Sequence, residues 1–165
     1  NRKTLAEVCL QAALFNGFPR CLGALAALWD VAPLDPVPPA KLASPRDTSR
    51  WRQKGEDLFS TIYGENTATV LADLDRFHPD LRDWILVGAY GRILSRSHLE
   101  PRTRELCATA SLIVSGDIRP VSSHMRGVVN CGGSRGDVDG VIDLVESFMA
   151  EDDVSRARET AASVC

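Results

Sequence analysis

A histidine and a glutamate are the side chains of this sequence best suited to acid–base chemistry on a small molecule. His124 is the first candidate, because an imidazole changes charge between about pH 5 and 8 and can give or take a proton at neutral pH. Glu105 is the second, because it directly precedes an uncharged stretch, LCATASLIV at 106–114. We predict both residues as catalytic, with Glu105 orienting the ring of His124.

Each of these two residues also has a purely structural explanation. His124 shares helical spacing with Val121 and Val128, so it could be a histidine of the hydrophobic core. Glu105 could be a first-turn carboxylate favoured by the helix dipole, or the partner of a neighbouring arginine. The residues alone leave these alternatives open.

A second set of side chains could bind the substrate. Arginines hold carboxylates through two parallel hydrogen bonds, although an arginine is commonly just a solvated surface charge. Two aromatic residues lie on a helix expected to pack over the site, with core packing as the alternative, and an acidic residue before the His124 helix could instead be a helix cap. The predicted substrate-binding residues are Arg104, Arg92, Arg119, Asp117, Tyr90, Trp84 and Asn16.

Composition narrows the class of protein. The chain has 165 residues, of which 44% are hydrophobic and 25% charged, as in ordinary globular domains. A formal net charge of -3 argues against nucleic acid as a partner, and no apolar run reaches the ~20 residues that cross a bilayer. We expect a cytoplasmic protein with a small-molecule substrate, no nucleic-acid or membrane partner, and neither a metal nor a cofactor.

Apolar residues recur at helical spacing, and no segment alternates as a strand would, so the predicted class is all-α. Thr4 and Glu7 have capping-box spacing before a helix at 5–15, and Gly17 separates it from a second helix at 19–29. Further helices are predicted at about 81–89, 101–114, 119–131, 134–149 and 152–165. The stretch 106–114 should be buried on nearly all sides.

Prolines divide the chain. Residues 31–47 contain five of them, which favour an extended linker. We therefore predict an N-terminal helical hairpin at 1–30, a linker at 31–47 and a main domain at 48–165.

The stretch 99–141 resembles the carboxymuconolactone decarboxylase and alkylhydroperoxidase D superfamily. The residues that carry the resemblance are Arg104, Glu105, Leu106, His124, Arg126, Gly127, Gly132, Asp137 and Val138. It implies an alkylhydroperoxidase D-like bundle of roughly seven to eight helices in a homo-oligomer, trimeric or hexameric. The hairpin at 1–30 resembles part of a second family repeat.

The sequence departs from the peroxidases of this superfamily. Their redox C-x-x-C pair comes just before the histidine, where this chain has Asp117 and Pro120. The pattern is nearer to the decarboxylase branch, whose reaction releases carbon dioxide from a lactone acid and needs a proton donor but no metal. Pro120 also replaces the acidic residue that related enzymes carry four positions before the histidine.

Three functions follow from these observations. The leading hypothesis is a decarboxylase-like lyase acting by acid–base chemistry on a small lactone or keto acid. One alternative is a peroxiredoxin-type antioxidant enzyme that uses Cys107 or Cys131 as a non-standard thiol. The other is a catalytically degenerate, oligomeric binding or scaffold protein.

Overall fold

Helices account for the architecture of the protein. The computed structural model describes residues 2–32 and 44–164. The α-helices are α1 (Arg2–Val31), α2 (Pro45–Tyr63), α3 (Thr67–Phe77), α4 (Leu81–Asp83), α5 (Pro101–Ser115), α6 (Ile118–Asn130), α7 (Arg135–Val145) and α8 (Glu151–Val164). A π-helix, Trp84–Leu94, continues α4, and short 3₁₀ turns lie at Gly64–Asn66 and Glu146–Phe148. No strand occurs in these ranges, so the all-α prediction is confirmed.

The predicted helix boundaries agree with the structure where a proline, a glycine or a capping residue determines the helix end. Pro101 occupies the first turn of α5, where its missing N–H costs nothing. Gly116 ends that helix with a φ of 76°, a left-handed conformation that glycine adopts without steric penalty. Ser134 and Asp137 form the capping box that begins α7.

The start of α1 differs from the prediction. The helix begins at Arg2, so Thr4 lies inside it and does not cap it. The carboxylate of Glu7 instead accepts hydrogen bonds of 2.7 to 3.0 Å from Arg96 and is buried. The predicted break is present at Gly17, whose φ of 76° and ψ of 163° are not helical.

A contact between the two arms of α1 shows that the chain folds back at Gly17. The sulfur of Cys21 lies 4.0 Å from the carbonyl oxygen of Leu10, eleven residues earlier. A straight helix would separate these residues by about 16 Å.

The predicted linker at 31–47 falls largely outside the described residues, and the division into hairpin, linker and main domain stays a prediction.

The π-helix was not predicted. It spans eleven residues, and the N–H of Ser95 closes it by donating to the oxygen of Tyr90, five positions back, at 2.8 Å. It packs on α2 with the two backbones in contact. A Cβ on Gly91 would lie 2.0 Å from the oxygen of Trp51, and one on Gly55 would lie 1.9 Å from the oxygen of Leu86. Glycine at both positions is what permits this approach.

The chain divides into two compact units. Unit 1 comprises Asn1–Ser60 and Glu65–Leu99. Its core includes Phe59 and Tyr90, whose rings meet edge to face with their centroids 4.9 Å apart. Unit 2 comprises Thr61–Gly64 and Glu100–Cys165 and is built mainly from α5 to α8.

The interior of unit 2 is tightly closed. Eight of its described apolar residues have no exposed surface: Ala108, Val121, Met125, Val128, Val138, Ile142, Ala157 and Ala161. The prediction that 106–114 is buried on nearly all sides is wrong at its end, because Val114 is 45% exposed. The buried positions of α5 form one face at helical spacing instead.

No helix in the described part of the chain is long and apolar enough to span a membrane.

Candidate functional site

His124 and Glu105 meet inside unit 2. Glu105 lies in the first turns of α5 and His124 in the middle of α6, and Nδ1 of the histidine is 2.8 Å from Oε2 of the glutamate. Their side chains are 8% and 1% exposed. The two catalytic candidates are therefore brought into direct contact, in surroundings that exclude most water.

This hydrogen bond engages one of the two ring nitrogens of His124. An ionised carboxylate has no hydrogen to give, so next to an ionised Glu105 the Nδ1 of His124 is the donor. The neutral ring then has its basic lone pair on Nε2, and the protonated ring has an N–H there. The hydrogen bond to Glu105 thus engages Nδ1, so any proton exchange with a ligand would take place at Nε2.

A glycine one turn further along α6 makes room for the carboxylate. A Cβ on Gly127 would lie 2.3 Å from Oε2 of Glu105 and 3.0 Å from a methyl group of Ile62. Any side chain at this position would therefore displace the carboxylate or the helix. Gly127 was predicted only as part of the family resemblance, and the structure gives its physical role.

Two polar atoms of α5 are buried without a hydrogen-bond partner in the described residues. They are Oε1 of Glu105 and Oγ1 of Thr109, one helical turn apart. A threonine inside a helix ordinarily donates to the carbonyl four residues back, which Thr109 does not do here. Each such buried atom costs on the order of 1–3 kcal/mol, so a pair of them marks a place where a polar group of a ligand would be stabilised.

A cleft of unit 2 is lined by Cys131, at the end of α6. The cleft has a volume of about 530 Å³ and is lined by Thr61, Glu100, Pro101, Arg102, Asn130, Cys131 and Gly132. Burial and, to a smaller extent, the charge of Glu105 together raise the pKa of the Cys131 thiol to about 11. Cys131 is thus within electrostatic reach of the Glu105 carboxylate and also borders this cleft.

The pKa values of both candidate thiols are shifted in the direction opposite to that of a peroxidatic cysteine. Such a cysteine reacts as a thiolate and needs a lowered pKa. The pKa of Cys131 is raised, and burial also raises the pKa of Cys107, against a smaller opposing effect of Arg104. Both shifts disfavour the thiolate at neutral pH.

The other predicted residues of unit 2 occupy different environments. Arg104 is only 1% exposed, so the expectation of a solvated surface charge is wrong for it. Arg119 is exposed near the start of α6. Asp117 occupies the N-cap position of α6, yet its side chain makes no capping hydrogen bond.

The remaining predicted residues belong to unit 1. Tyr90 is buried against Phe59, which is core packing, whereas Trp84 is 67% exposed and stacks on the ring of His78. Core packing is therefore wrong for Trp84, because the start of the π-helix leaves it at the surface. The guanidinium of Arg92 lies 5.3 Å from the centre of the Trp51 ring. Asn16 is partly buried beside the break in α1.

Sequence reasoning missed Thr109, on the helical face of Glu105, and Asn130, in the cleft lined by Cys131. Thr109 follows Glu105 by four positions and so shares its helical face, which is a signal that could have identified it. Asn130 donates from its side-chain amide to the carbonyl oxygen of Ile62 at 2.8 Å, a contact over 68 positions that no local pattern indicates. Among the residues described, no three His, Cys, Asp or Glu side chains cluster as metal ligands.

Comparison with known sequences gives the family. The sequence profile of the carboxymuconolactone decarboxylase family matches residues 80–162, half of the chain. The chain belongs to the carboxymuconolactone decarboxylase family. The match includes both Glu105 and His124, so the resemblance inferred from the sequence is confirmed.

Two relatives of this chain are known by the same name. Peroxisomal protein 2 of Saccharomyces cerevisiae is 26% identical, over 82% of this chain and 56% of the relative. Peroxisomal protein 2 of Schizosaccharomyces pombe is 28% identical, over 79% of this chain and 62% of the relative. The chain thus spans less than two thirds of the length of either relative.

Proposed function

We propose that this member of the carboxymuconolactone decarboxylase family is a lyase that moves a proton to or from carbon on a small organic acid. His124 exchanges the proton through Nε2, and Glu105 orients the ring. The observation that carries the proposal is the 2.8 Å hydrogen bond between Nδ1 of His124 and Oε2 of Glu105.

The proposed reaction makes defined demands on the site. When a carboxylate leaves as carbon dioxide, its bonding electrons pass to the adjacent carbon and spread onto a neighbouring carbonyl oxygen. A protonated His124 then delivers a proton to carbon, and the ring is reprotonated from solvent. The hydrogen bond between Glu105 and Nδ1 keeps the ring oriented through this cycle.

The substrate's polar groups have a proposed position near α5. The buried oxygens Glu105 Oε1 and Thr109 Oγ1 would be satisfied by a hydroxyl group of the substrate or by a water that contacts it. The cleft lined by Cys131 is the proposed route of entry, and Arg102 at its rim supplies a cation for a carboxylate. The substrate-binding roles predicted for Arg104, Arg119 and Asp117 remain proposals.

Evidence on the thiols favours the lyase over a peroxidase. The raised pKa of Cys131 disfavours the thiolate that a peroxidatic mechanism requires. A scaffold role has its own support, because large apolar side chains such as Phe18, Leu144 and Phe148 are 74%, 74% and 76% exposed. These same side chains support the proposed homo-oligomer, in which they would be covered.

Location in the cell is a separate proposal. The predicted cytoplasmic location stays a prediction, while the name of the two relatives supports the peroxisome as the alternative. Imaging of a fluorescently tagged full-length protein against markers of both compartments decides between them.

Steady-state kinetics on a panel of lactone acids and keto acids tests the proposed reaction, with carbon dioxide release as the readout. The wild type should turn over at least one compound. His124→Gln should lower kcat by about 100- to 10,000-fold, as expected when a general acid is removed. Glu105→Gln should lower kcat with little effect on KM, because the amide can still hold Nδ1 but carries no charge.

The matched control replaces a histidine of the other unit. His78 is exposed and belongs to unit 1, so His78→Gln should retain wild-type kcat. Full activity of His124→Gln would contradict the assigned role. Absence of turnover over the whole panel, with the wild type correctly folded, would favour the scaffold role.

A further inference from the structure

A basic cavity lies in unit 1, along one face of α2. Four residues of this helix line it at helical spacing: Asp47, Arg50, Trp51 and Lys54. Two of the four are cations one turn apart, which repel each other by a few tenths of a kcal/mol in an isolated helix. The carboxylate of Asp47 already has partners at the start of α2, because it accepts hydrogen bonds from the N–H and the hydroxyl of Ser44 at 3.0 and 2.7 Å.

The opposite wall comes from the end of the π-helix and the turn after it. Its residues are Gly91, Arg92, Ser95, Arg96, Ser97 and His98, and the cavity volume is about 420 Å³. The backbone contact between Gly91 and Trp51 brings this wall against α2. The two glycines that permit the close approach of the helices therefore also bring the arginines of one wall and the cations of α2 around the same cavity.

The charge of this cavity is opposite to that of the whole chain. Four cationic side chains and one carboxylate line it, a net formal charge of +3 with His98 neutral. The complete sequence has a formal net charge of -3. The carboxylate of Glu7 pairs with Arg96. When its charge is also counted, the cavity keeps a net formal charge of +2.

Two of the arginines are held in place before any ligand arrives. The guanidinium of Arg92 stacks over the Trp51 ring, a cation–π contact that restricts its rotamers. Arg96 donates from Nε and one terminal nitrogen to the carboxylate of Glu7, and 43% of its side chain stays exposed. Side chains fixed in this way lose less entropy when they bind an anion.

We propose that this cavity binds the phosphate or diphosphate group of a small organic molecule. Guanidinium groups match phosphate oxygens in a bidentate geometry, and a phosphate ester carries up to two negative charges near neutral pH. A monocarboxylate would leave most of the excess positive charge uncompensated. The volume is within the range of small-molecule sites and leaves room for an organic part of the ligand beside the diphosphate group.

Isothermal titration calorimetry with pyrophosphate tests this proposal at constant ionic strength, with inorganic phosphate and citrate as comparison anions. The wild type should bind pyrophosphate saturably with a stoichiometry of one per chain, and more tightly than either comparison anion. The double variant Arg50→Gln/Lys54→Gln removes two exposed cations of the cavity and should weaken binding at least tenfold. The control Arg20→Gln/Arg76→Gln removes two exposed cations elsewhere in unit 1 and should bind like the wild type.

Each remaining outcome would overturn the proposal. Absence of saturable pyrophosphate binding to the folded wild type removes the site. Equal weakening in both double variants shows only a general effect of net charge. Citrate bound as tightly as pyrophosphate overturns the assignment to phosphate groups. None of these variants alters Glu105 or His124, so the result is independent of the lyase proposal.

Discussion

The carboxylate of Glu105 fills the space that a side chain at position 127 would occupy. A Cβ there would lie 2.3 Å from Oε2 of Glu105, the oxygen that accepts the hydrogen bond from His124. Because Gly127 has no side chain, the carboxylate of Glu105 on α5 can reach His124 on α6.

The first prediction concerns Gly127→Ala. The added methyl group should push the Glu105 carboxylate away from His124 and destabilise the fold by about 1–3 kcal/mol, as overpacking of a core does. Urea denaturation measures the free energy of unfolding. The proposed lyase activity should also be largely lost, because the orientation of His124 is disturbed.

Gly140→Ala is the matched control for this substitution. Gly140 lies inside α7, and nothing stands within 4 Å of the Cβ that alanine would add. Alanine should therefore stabilise the helix by about 0.5–1 kcal/mol. A Gly127→Ala protein as stable as the wild type would contradict the packing described for Glu105.

Helix boundaries were predictable because they depend on a few neighbouring residues. Pro101, Gly116 and Ser134 each act through their own backbone geometry or side chain, and the structure places a helix end at each. The π-helix was not predictable from the apolar pattern, which indicates a helix but does not resolve its pitch. Its packing depends on Gly55 and Gly91, which meet partners more than thirty positions away.

The candidate site was predictable in its residue types but not in its contacts. The helical spacing and family resemblance singled out Glu105 and His124, yet their hydrogen bond joins residues 19 positions apart on different helices. Glu7 shows the opposite case. Its spacing from Thr4 predicted a cap, while its partner Arg96 is 89 positions away, beyond any local pattern.

The second prediction is that Thr109→Val separates stability from activity. Valine has the shape of threonine without the hydroxyl, so removal of an unsatisfied buried polar atom should raise the free energy of unfolding by up to about 1 kcal/mol. If that hydroxyl contacts the substrate, KM should rise. Thr109→Ser keeps the hydroxyl and should retain a near wild-type KM. A valine variant that is less stable than the wild type would show that the hydroxyl has a structural partner.

The third prediction concerns the reactivity of Cys131. Its pKa is raised from 9.0 to about 11, so the thiolate fraction near pH 7 should be ~100-fold below that of an ordinary thiol. Alkylation by iodoacetamide, followed by peptide mass spectrometry, should be correspondingly slow and should accelerate up to about pH 11. Because burial is the larger cause and Glu105 the second, Glu105→Gln should speed the reaction only in part. Rapid oxidation of Cys131 by peroxide would instead support the antioxidant enzyme.

The fourth prediction compares the two partners of a single ion pair. Glu7 is buried, while 43% of the Arg96 side chain is exposed. Arg96→Met removes the guanidinium that pairs with the buried carboxylate of Glu7, and it should lower the free energy of unfolding by about 1–3 kcal/mol. Glu7→Gln leaves an arginine that water can solvate, so its cost should be smaller. Equal costs in thermal or urea denaturation would contradict the assigned burial.

Proton exchange at carbon tests the central claim most directly. The protein is incubated with lactone acids and keto acids in deuterium oxide, and exchange of carbon-bound protons is followed by NMR. The Glu105–His124 pair predicts exchange faster than in buffer for at least one compound, and its loss in His124→Gln but not in His78→Gln. Exchange that persists unchanged in His124→Gln, or never exceeds the buffer rate with the wild type, would contradict the account.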